Sequence, residues 1–171
     1  LSASGYTGSD NIIAKDILFI LSKQQPAGSF EESVDLTAAA VQAFSSFREI
    51  NGVSDALLKA STYLQNSQKS DGGFGNIFSS SWAIQAMNAL GASWTNGGKT
   101  TGNYLGAEQS PDGTALPSSD TLQNRIWATS YAIPATLGKD WSDIMQSVLK
   151  LENKNNASNS SSGTSSGTSS I

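Results

Sequence analysis

The sequence predicts an all-α fold built from repeated helical hairpins. Apolar residues recur with the 3.6-residue period of a helix, and no run of alternating apolar and polar residues indicates a strand. Three similar segments, spaced roughly 40 residues apart, each carry a glutamine after an apolar pair and a glycine four residues later. These positions are Gln24 and Gly28, Gln68 and Gly72, and Gln109 and Gly113. Three copies of one pattern predict a repeat architecture.

The first unit is expected to contain two helices. Asp10 is predicted to cap the first of them. Its inward positions are Ile13, Ile17, Ile20 and Leu21. The second helix is expected to begin near Ser33 or Asp35 and to end at Ile50, where the Asn-Gly pair at 51–52 supplies a left-handed stop. Its inward positions are Ala40, Ala43, Phe44 and Phe47.

The second unit repeats this arrangement, with Ser54 as the first cap and Gly91 as the final stop. The inward stripe of its first helix is Leu57, Ala60 and Leu64. The third unit is weaker, because glycines and threonines replace alanine and leucine in its first helix. Its second helix is expected from about Ser119 to Leu137, and Pro134 is expected to kink or end it.

A last helix is predicted over 140–151, with Asp140 as its cap. Its inward residues are Trp141, Ile144, Val148 and Leu151. The Ser/Thr/Gly-rich remainder cannot offset its own ordering entropy, which predicts a flexible linker. The predicted organisation is therefore a lead-in at 1–9, a repeat domain at 10–151 with units at 10–52, 53–97 and 98–138, the final helix at 140–151, and a linker at 152–171.

Composition excludes several classes of function. The chain has no cysteine and no histidine, so disulfides and Ser-His or Cys-His catalysis are impossible. Its ten basic residues are scattered and its net charge is −4, which disfavours nucleic-acid binding. No apolar run reaches the roughly 18 residues of a transmembrane helix. The chain starts at Leu1 without a signal-peptide core, which predicts a processed or excised piece of a longer protein.

The stretch Asp-Gly-Gly-Phe-Gly at 71–75 has the composition of a ligand loop. A phosphate loop would follow a strand and carry a nearby lysine, and a calcium loop would need a carboxylate where Trp82 stands. The favoured interpretation is a corner between helices, in which the aspartate accepts backbone N–H groups and the phenylalanine packs back on the helices. The residues assigned to such corners are Gln24, Gln68, Asp71, Gly72, Gly73, Phe74, Gln109, Asp112 and Gly113.

No carboxylate is predicted to be catalytic, and no metal or cofactor is expected. The chain lacks a cluster of aspartates that could act together as a strong acid. Asp140 and Asp143 fall in the first turn of a predicted helix, where a negative charge favours the helix dipole. Glu31 and Glu32 precede a helix and are expected on a solvated rim.

Five aromatic residues on the predicted helices are candidate ligand contacts. They are Trp82, Trp127, Tyr63, Tyr104 and Tyr131. Such positions in a helical repeat usually fill the space between layers. If some of them share a concave face instead, they would form an apolar ligand surface or a site that stabilises cations through π faces.

The pattern Gln-x-x-Asp-Gly-Gly-Phe-Gly, followed by a Trp-Ala helix at 68–90, resembles the repeat of the squalene/hopene cyclase and protein prenyltransferase superfamily. The resemblance covers 10–138 and implies a partial α/α toroid in which the motif braces each corner. The acid motif of class II cyclases, the zinc ligands of prenyltransferases and the Cys-Gln pair of thioester proteins have no counterpart here. The chain looks most similar to secreted bacterial members without catalytic residues.

The sequence is compatible with three functions. The first is a non-catalytic extracellular or cell-surface module that binds a small apolar ligand, a glycan or a protein partner. The second is an isoprenoid-processing domain, related to terpene cyclases or prenyltransferases, whose catalytic residues lie outside this chain. The third is a scaffold without a ligand. The stretch Ile-Leu-Phe-Ile-Leu at 17–21 is apolar nearly all round, so we expect an upstream repeat or a second copy to cover it.

Overall fold

The computed structural model describes residues 5–144 and shows an all-α protein, which confirms the predicted fold class. Six helices form three units of two: α1 Asn11–Leu21, α2 Val34–Ser45, α3 Val53–Ser67, α4 Ile77–Leu90, α5 Thr101–Glu108 and α6 Leu122–Thr136. A short antiparallel ribbon, β1 Thr95–Asn96 and β2 Lys99–Thr100, precedes α5, and the short helix α7 Trp141–Ile144 follows α6. The ribbon is not predicted from the sequence, because its strands are too short to show an alternating pattern.

The second helices of the units form a row, in which α4 packs against both α2 and α6. Helix α2 also packs against α3, and α4 also packs against α5. The first helix of a unit therefore packs mainly on the second helix of the preceding unit, rather than forming a tight hairpin within its own unit. Both helices of the second unit contact α2, and both helices of the third unit contact α4. We call the surface formed by such a helix pair the seat of the preceding unit's second helix. Within residues 5–144 no unit precedes the first one, so the equivalent place beside α1 and α2 holds no helix.

Alanine and small polar residues allow the close packing of this row. Ala83 and Ala86 of α4 and Ala128 of α6 are fully buried. The predicted inward residues Ile13, Ile17, Leu57, Ala60, Leu64 and Phe44 are also buried. Ala43 is exposed, contrary to its predicted inward position, because it faces the open side of the first unit. None of the helices within 5–144 combines the length and the hydropathy that crossing a membrane requires.

Two predicted helix boundaries, the end of α2 and the start of α3, are wrong, and one predicted capping bond does not form. Helix α2 does not reach Ile50 but ends at Ser45, and the following residues form successive turns. Gly52 has a φ of 88° and stands at the start of α3 rather than at the end of α2, so the predicted Ser54 cap lies inside α3. The carboxylate of Asp10 turns back to the N–H of Thr7, at 2.9 Å, and makes no capping bond to α1.

Other predicted boundaries agree with the structure. The Ser33 hydroxyl accepts a hydrogen bond from the N–H of Leu36 and caps α2, and Gly91 ends α4 in a left-handed conformation. Helix α6 contains Pro134 in its last turn and ends two residues later. The Asp140 carboxylate accepts bonds from the backbone N–H groups of residues 142 and 143, as expected for a cap. Val148, Leu151 and the predicted linker lie outside the described residues.

Candidate functional site

The three glutamines of the repeat make the same hydrogen bond. In each unit the side-chain amide nitrogen donates to the carbonyl oxygen of the glycine four residues later. The distances are 3.0 Å from Gln24 to Gly28, 2.9 Å from Gln68 to Gly72 and 3.1 Å from Gln109 to Gly113. The backbone of each corner also closes with the same pair of turn bonds. The repeated sequence pattern therefore corresponds to a repeated local structure.

The corner aspartates accept backbone hydrogen bonds in their own turns, and Asp71 also lines a cavity of about 430 Å³ together with Lys99, Tyr104 and Glu108. The Asp71 carboxylate accepts the N–H of Gly73 at 2.9 Å. The Asp112 carboxylate accepts the N–H and the hydroxyl of Thr114, at 3.2 and 2.7 Å, and forms an ion pair with Arg125. The Thr114 hydrogen bonds, followed by the Arg125 guanidinium, lower the pKa of Asp112. Both carboxylates thus stabilise turns at the edge of the molecule.

The Asp112→Asn substitution is expected to destabilise the protein at neutral pH but not in acid. Because folding lowers the pKa of Asp112, the ionised carboxylate stabilises the fold above the ordinary aspartate value of about 3.9. This contribution disappears as the pH falls through the lower folded pKa. The measurement is the free energy of unfolding of both proteins from neutral to acidic pH. Asp16→Asn, which removes an exposed carboxylate from α1, controls for the loss of one negative charge.

The first two corners also bind the unit that follows them. The amide of Gln24 donates to the carbonyl oxygen of Ala56 at 2.8 Å, and the amide of Gln68 donates to the Thr101 hydroxyl at 3.1 Å. The backbone of the following unit comes so close that a side chain at Gly28 or Gly72 would overlap it. Glycine is therefore required at these corners for space as well as for its positive φ.

The third corner has the same internal structure but an open outer side. Gln109 is exposed, whereas Gln68 is buried. Gly113 has a φ of 86°, close to the 88° of Gly72, and a Cβ atom there would meet nothing within 4 Å. Within residues 5–144 no unit follows this corner.

Two of the five aromatic candidates lie together. Trp82 of α4 and Tyr131 of α6 have ring centroids 5.6 Å apart. Phe78 and Trp141, which the sequence analysis did not include among the ligand contacts, complete this aromatic cluster at 6.1 Å from Tyr131 and Trp82 respectively. The backbone N–H of Trp141 donates to the side-chain oxygen of Gln42 on α2, which fixes α7 across the row. The chain's own Trp141 thus covers part of this surface.

The other three aromatic candidates lie apart from the aromatic cluster. Trp127 is 56% exposed on α6. The Tyr63 hydroxyl donates to the carbonyl of Glu32 at 2.6 Å, so this ring lies against the first corner. The Tyr104 ring lies against Gly73 of the second corner, and burial, reinforced by the carboxylates of Glu108 and Asp71, raises the pKa of its hydroxyl. The two tyrosines connect successive units and do not share a ligand surface with Trp82.

An apolar groove lies between α1 and α2, on the open side of the first unit. Its volume is about 430 Å³. The lining residues are Phe19, Ile20, Lys23, Phe30, Glu31, Leu36, Ala39, Ala40 and Ala43. Phe19 and Leu36 are 64% and 51% exposed, and the Lys23 ammonium lies 5.0 Å from the centre of the Phe19 ring. The apolar first helix was predicted from the sequence and the groove was not, although Phe19 occupies the repeat position of Tyr63 and Tyr104.

Among residues 5–144 no three carboxylate side chains are grouped so that they could hold a metal ion together. Another cavity, of about 320 Å³, lies between α4, α5 and the end of α6, and polar residues such as Asn88, Ser93 and Thr100 contribute to its lining. Comparison of the chain with protein-family models, with curated proteins and with solved structures finds no match to any of them.

Proposed function

We propose that this chain is a non-catalytic helical repeat module that binds an apolar partner in the groove between α1 and α2. The observation that carries the proposal is the groove itself, whose lining is apolar except for Lys23 and Glu31. Apolar surface left in water costs about 25 cal/mol per Å², so exposed side chains such as Phe19 favour an occupant. A contiguous apolar surface of this kind is typical of interaction sites.

The chemistry of the groove favours a protein or another apolar partner over a glycan. Sugar hydroxyls need several polar groups directed at them, and only two lining side chains are charged. Catalysis is left out of the proposal because Asp71 and Asp112 bind backbone groups in turns. In this proposal the module works outside the cell or at its surface, and its three units form an arc of a toroid, as the resemblance to secreted toroid proteins implies.

The Leu36→Glu substitution tests the proposed groove. It would introduce a charge into the groove that an apolar occupant must desolvate, and we expect it to weaken binding about tenfold. The measurement is a fluorescence titration with 1-anilinonaphthalene-8-sulfonate on dilute protein. Leu36 is exposed in the first turn of α2, where a carboxylate suits the helix dipole, so the variant is expected to fold.

Leu58→Glu is the matched control, because Leu58 is a 69% exposed leucine on α3 that does not line the groove. This variant is expected to bind the probe within about twofold of the unsubstituted protein, which is less than 0.5 kcal/mol. Equal binding by the Leu36→Glu and Leu58→Glu variants would contradict the proposal.

A further inference from the structure

The groove between α1 and α2 corresponds to a seat that is filled in the other two units. In the second unit α3 and α4 both pack against α2, and in the third unit α5 and α6 both pack against α4. Helices α1 and α2 are the matching pair in the first unit. The helix that suits their groove is therefore the second helix of a unit of the same kind.

Hydrogen bonds at the corners define the register between the second helices. The hydroxyls of Thr37, Ser80 and Thr129 accept the backbone N–H of residues 30, 74 and 115, at 3.0, 2.9 and 3.0 Å. These hydroxyls therefore mark equivalent positions in α2, α4 and α6.

This register identifies a face of α6 whose counterpart is buried on α2 and half-buried on α4. Ile133 of α6 corresponds to Ile84 of α4 and to Val41 of α2, four residues after the aligned hydroxyl in each helix. Val41 is fully buried, and Ile84 packs against the core of the third unit. Ile133 is 52% exposed and Leu137, one turn further on, is 69% exposed. The exposed face of α6 that contains Ile133 therefore fits the groove between α1 and α2. Within residues 5–144 no helix pair covers this face.

The third corner, like the exposed face of α6, has no following unit against it within residues 5–144. The Gln24 and Gln68 amides donate both to their own corner and to the following unit, whereas the exposed Gln109 amide donates to Gly113. The space beside Gly113 is open where the backbone of the next unit fills it at Gly28 and Gly72. An apolar helix face and a corner ready for a following unit therefore lie at the same end of the chain.

We propose that two copies of this chain associate head to tail, with α6 of one copy in the groove between α1 and α2 of the other. Phe19 of the second copy would then lie against the third corner of the first, as Tyr63 and Tyr104 lie against the first and second corners. A second copy is the occupant that the observations favour, because one chain supplies both halves of the contact. The inference rests on the proposed function, since the groove is one of those halves.

The contact is heterologous, because it joins two different surfaces, and this permits a decisive test. The measurement is sedimentation velocity of the full chain over a range of concentrations. Leu36→Glu alters the groove and leaves α6 intact, whereas Ile133→Glu alters α6 and leaves the groove intact. Each variant alone is expected to raise the dissociation constant of self-association at least about tenfold, and the Leu58→Glu control is expected to leave it unchanged.

An equimolar mixture of the two variants is expected to form dimers, because the intact α6 of one variant fits the intact groove of the other. No larger species is expected in the mixture, since each remaining contact is blocked. A symmetric groove-to-groove contact would instead be insensitive to Ile133→Glu and would not be restored by mixing, which would overturn the inference. Circular dichroism of each variant checks that it is folded.

Failure of this inference is distinguishable from failure of the proposed function. A protein that stays monomeric at all concentrations, but whose probe binding still depends on Leu36, overturns the second copy as occupant and leaves the groove as a site for another partner. If the Leu36→Glu substitution does not change probe binding and the unsubstituted protein also does not self-associate, both the proposed function and the proposed self-association are overturned.

Discussion

Replacement of Gln68 by methionine is expected to lower the free energy of unfolding by about 3 kcal/mol. Gln68 is 4% exposed, and its amide nitrogen donates to the Gly72 carbonyl, the Trp94 carbonyl and the Thr101 hydroxyl. Methionine preserves the length of the side chain but cannot donate. The substitution leaves buried acceptors without this partner, and each such loss typically costs about 1–3 kcal/mol. The Gln68 oxygen is itself buried without a partner among the described residues, and its removal offsets part of this cost.

Gln109→Met provides the matched control for this prediction. The Gln109 amide makes the equivalent bond to its own corner, but it is exposed, so water can replace the bond. Its removal is expected to cost less than about 1 kcal/mol. Urea denaturation of both variants and of the unsubstituted protein gives the comparison. Similar losses at the two positions would show that the bond within the corner, rather than the bond to the following unit, supplies the stability.

The helical class and the corners could be predicted because they depend on local chemistry. A glutamine four residues before a glycine bridges a single turn, and three copies of this spacing make the pattern visible in the sequence. The end of α2 was not predictable in the same way. Phe47 is buried and continues the helical spacing of Phe44, although the backbone has already left the helix at Ser45. Apolar spacing alone therefore extended the prediction to Ile50.

The aromatic cluster depends on packing between units, so its members could be predicted only in part. The third unit has a longer connection between its corner and its second helix than the first two units have. Structural equivalence consequently pairs Trp82 with Tyr131 rather than with Trp127, which has the same side chain. Trp141 joins the aromatic cluster because α7 packs back on α2, where the Trp141 N–H binds the Gln42 side chain. No spacing of residues in the sequence predicts this contact.

Gly72→Ala is expected to destabilise the fold by about 3 kcal/mol, and Gly113→Ala by only about 1 kcal/mol. Both glycines have the positive φ that L side chains disfavour, at 88° and 86°, so the backbone strain is nearly the same in the two variants. At Gly72 the new methyl group would also overlap the backbone carbonyl of Thr100, and the third unit would have to move away from the second.

The difference between the two variants therefore measures the close approach of a following unit, separately from the strain of the turn. Urea denaturation of the Ile133→Glu protein carrying either substitution gives this difference with self-association suppressed. Equal losses would show that the approach of Thr100 costs nothing to relieve. In the absence of Ile133→Glu, Gly113→Ala has a second expected effect, which is weaker self-association. If a second copy packs on the third corner as the second and third units pack on the first two, its backbone needs the space that only glycine leaves there.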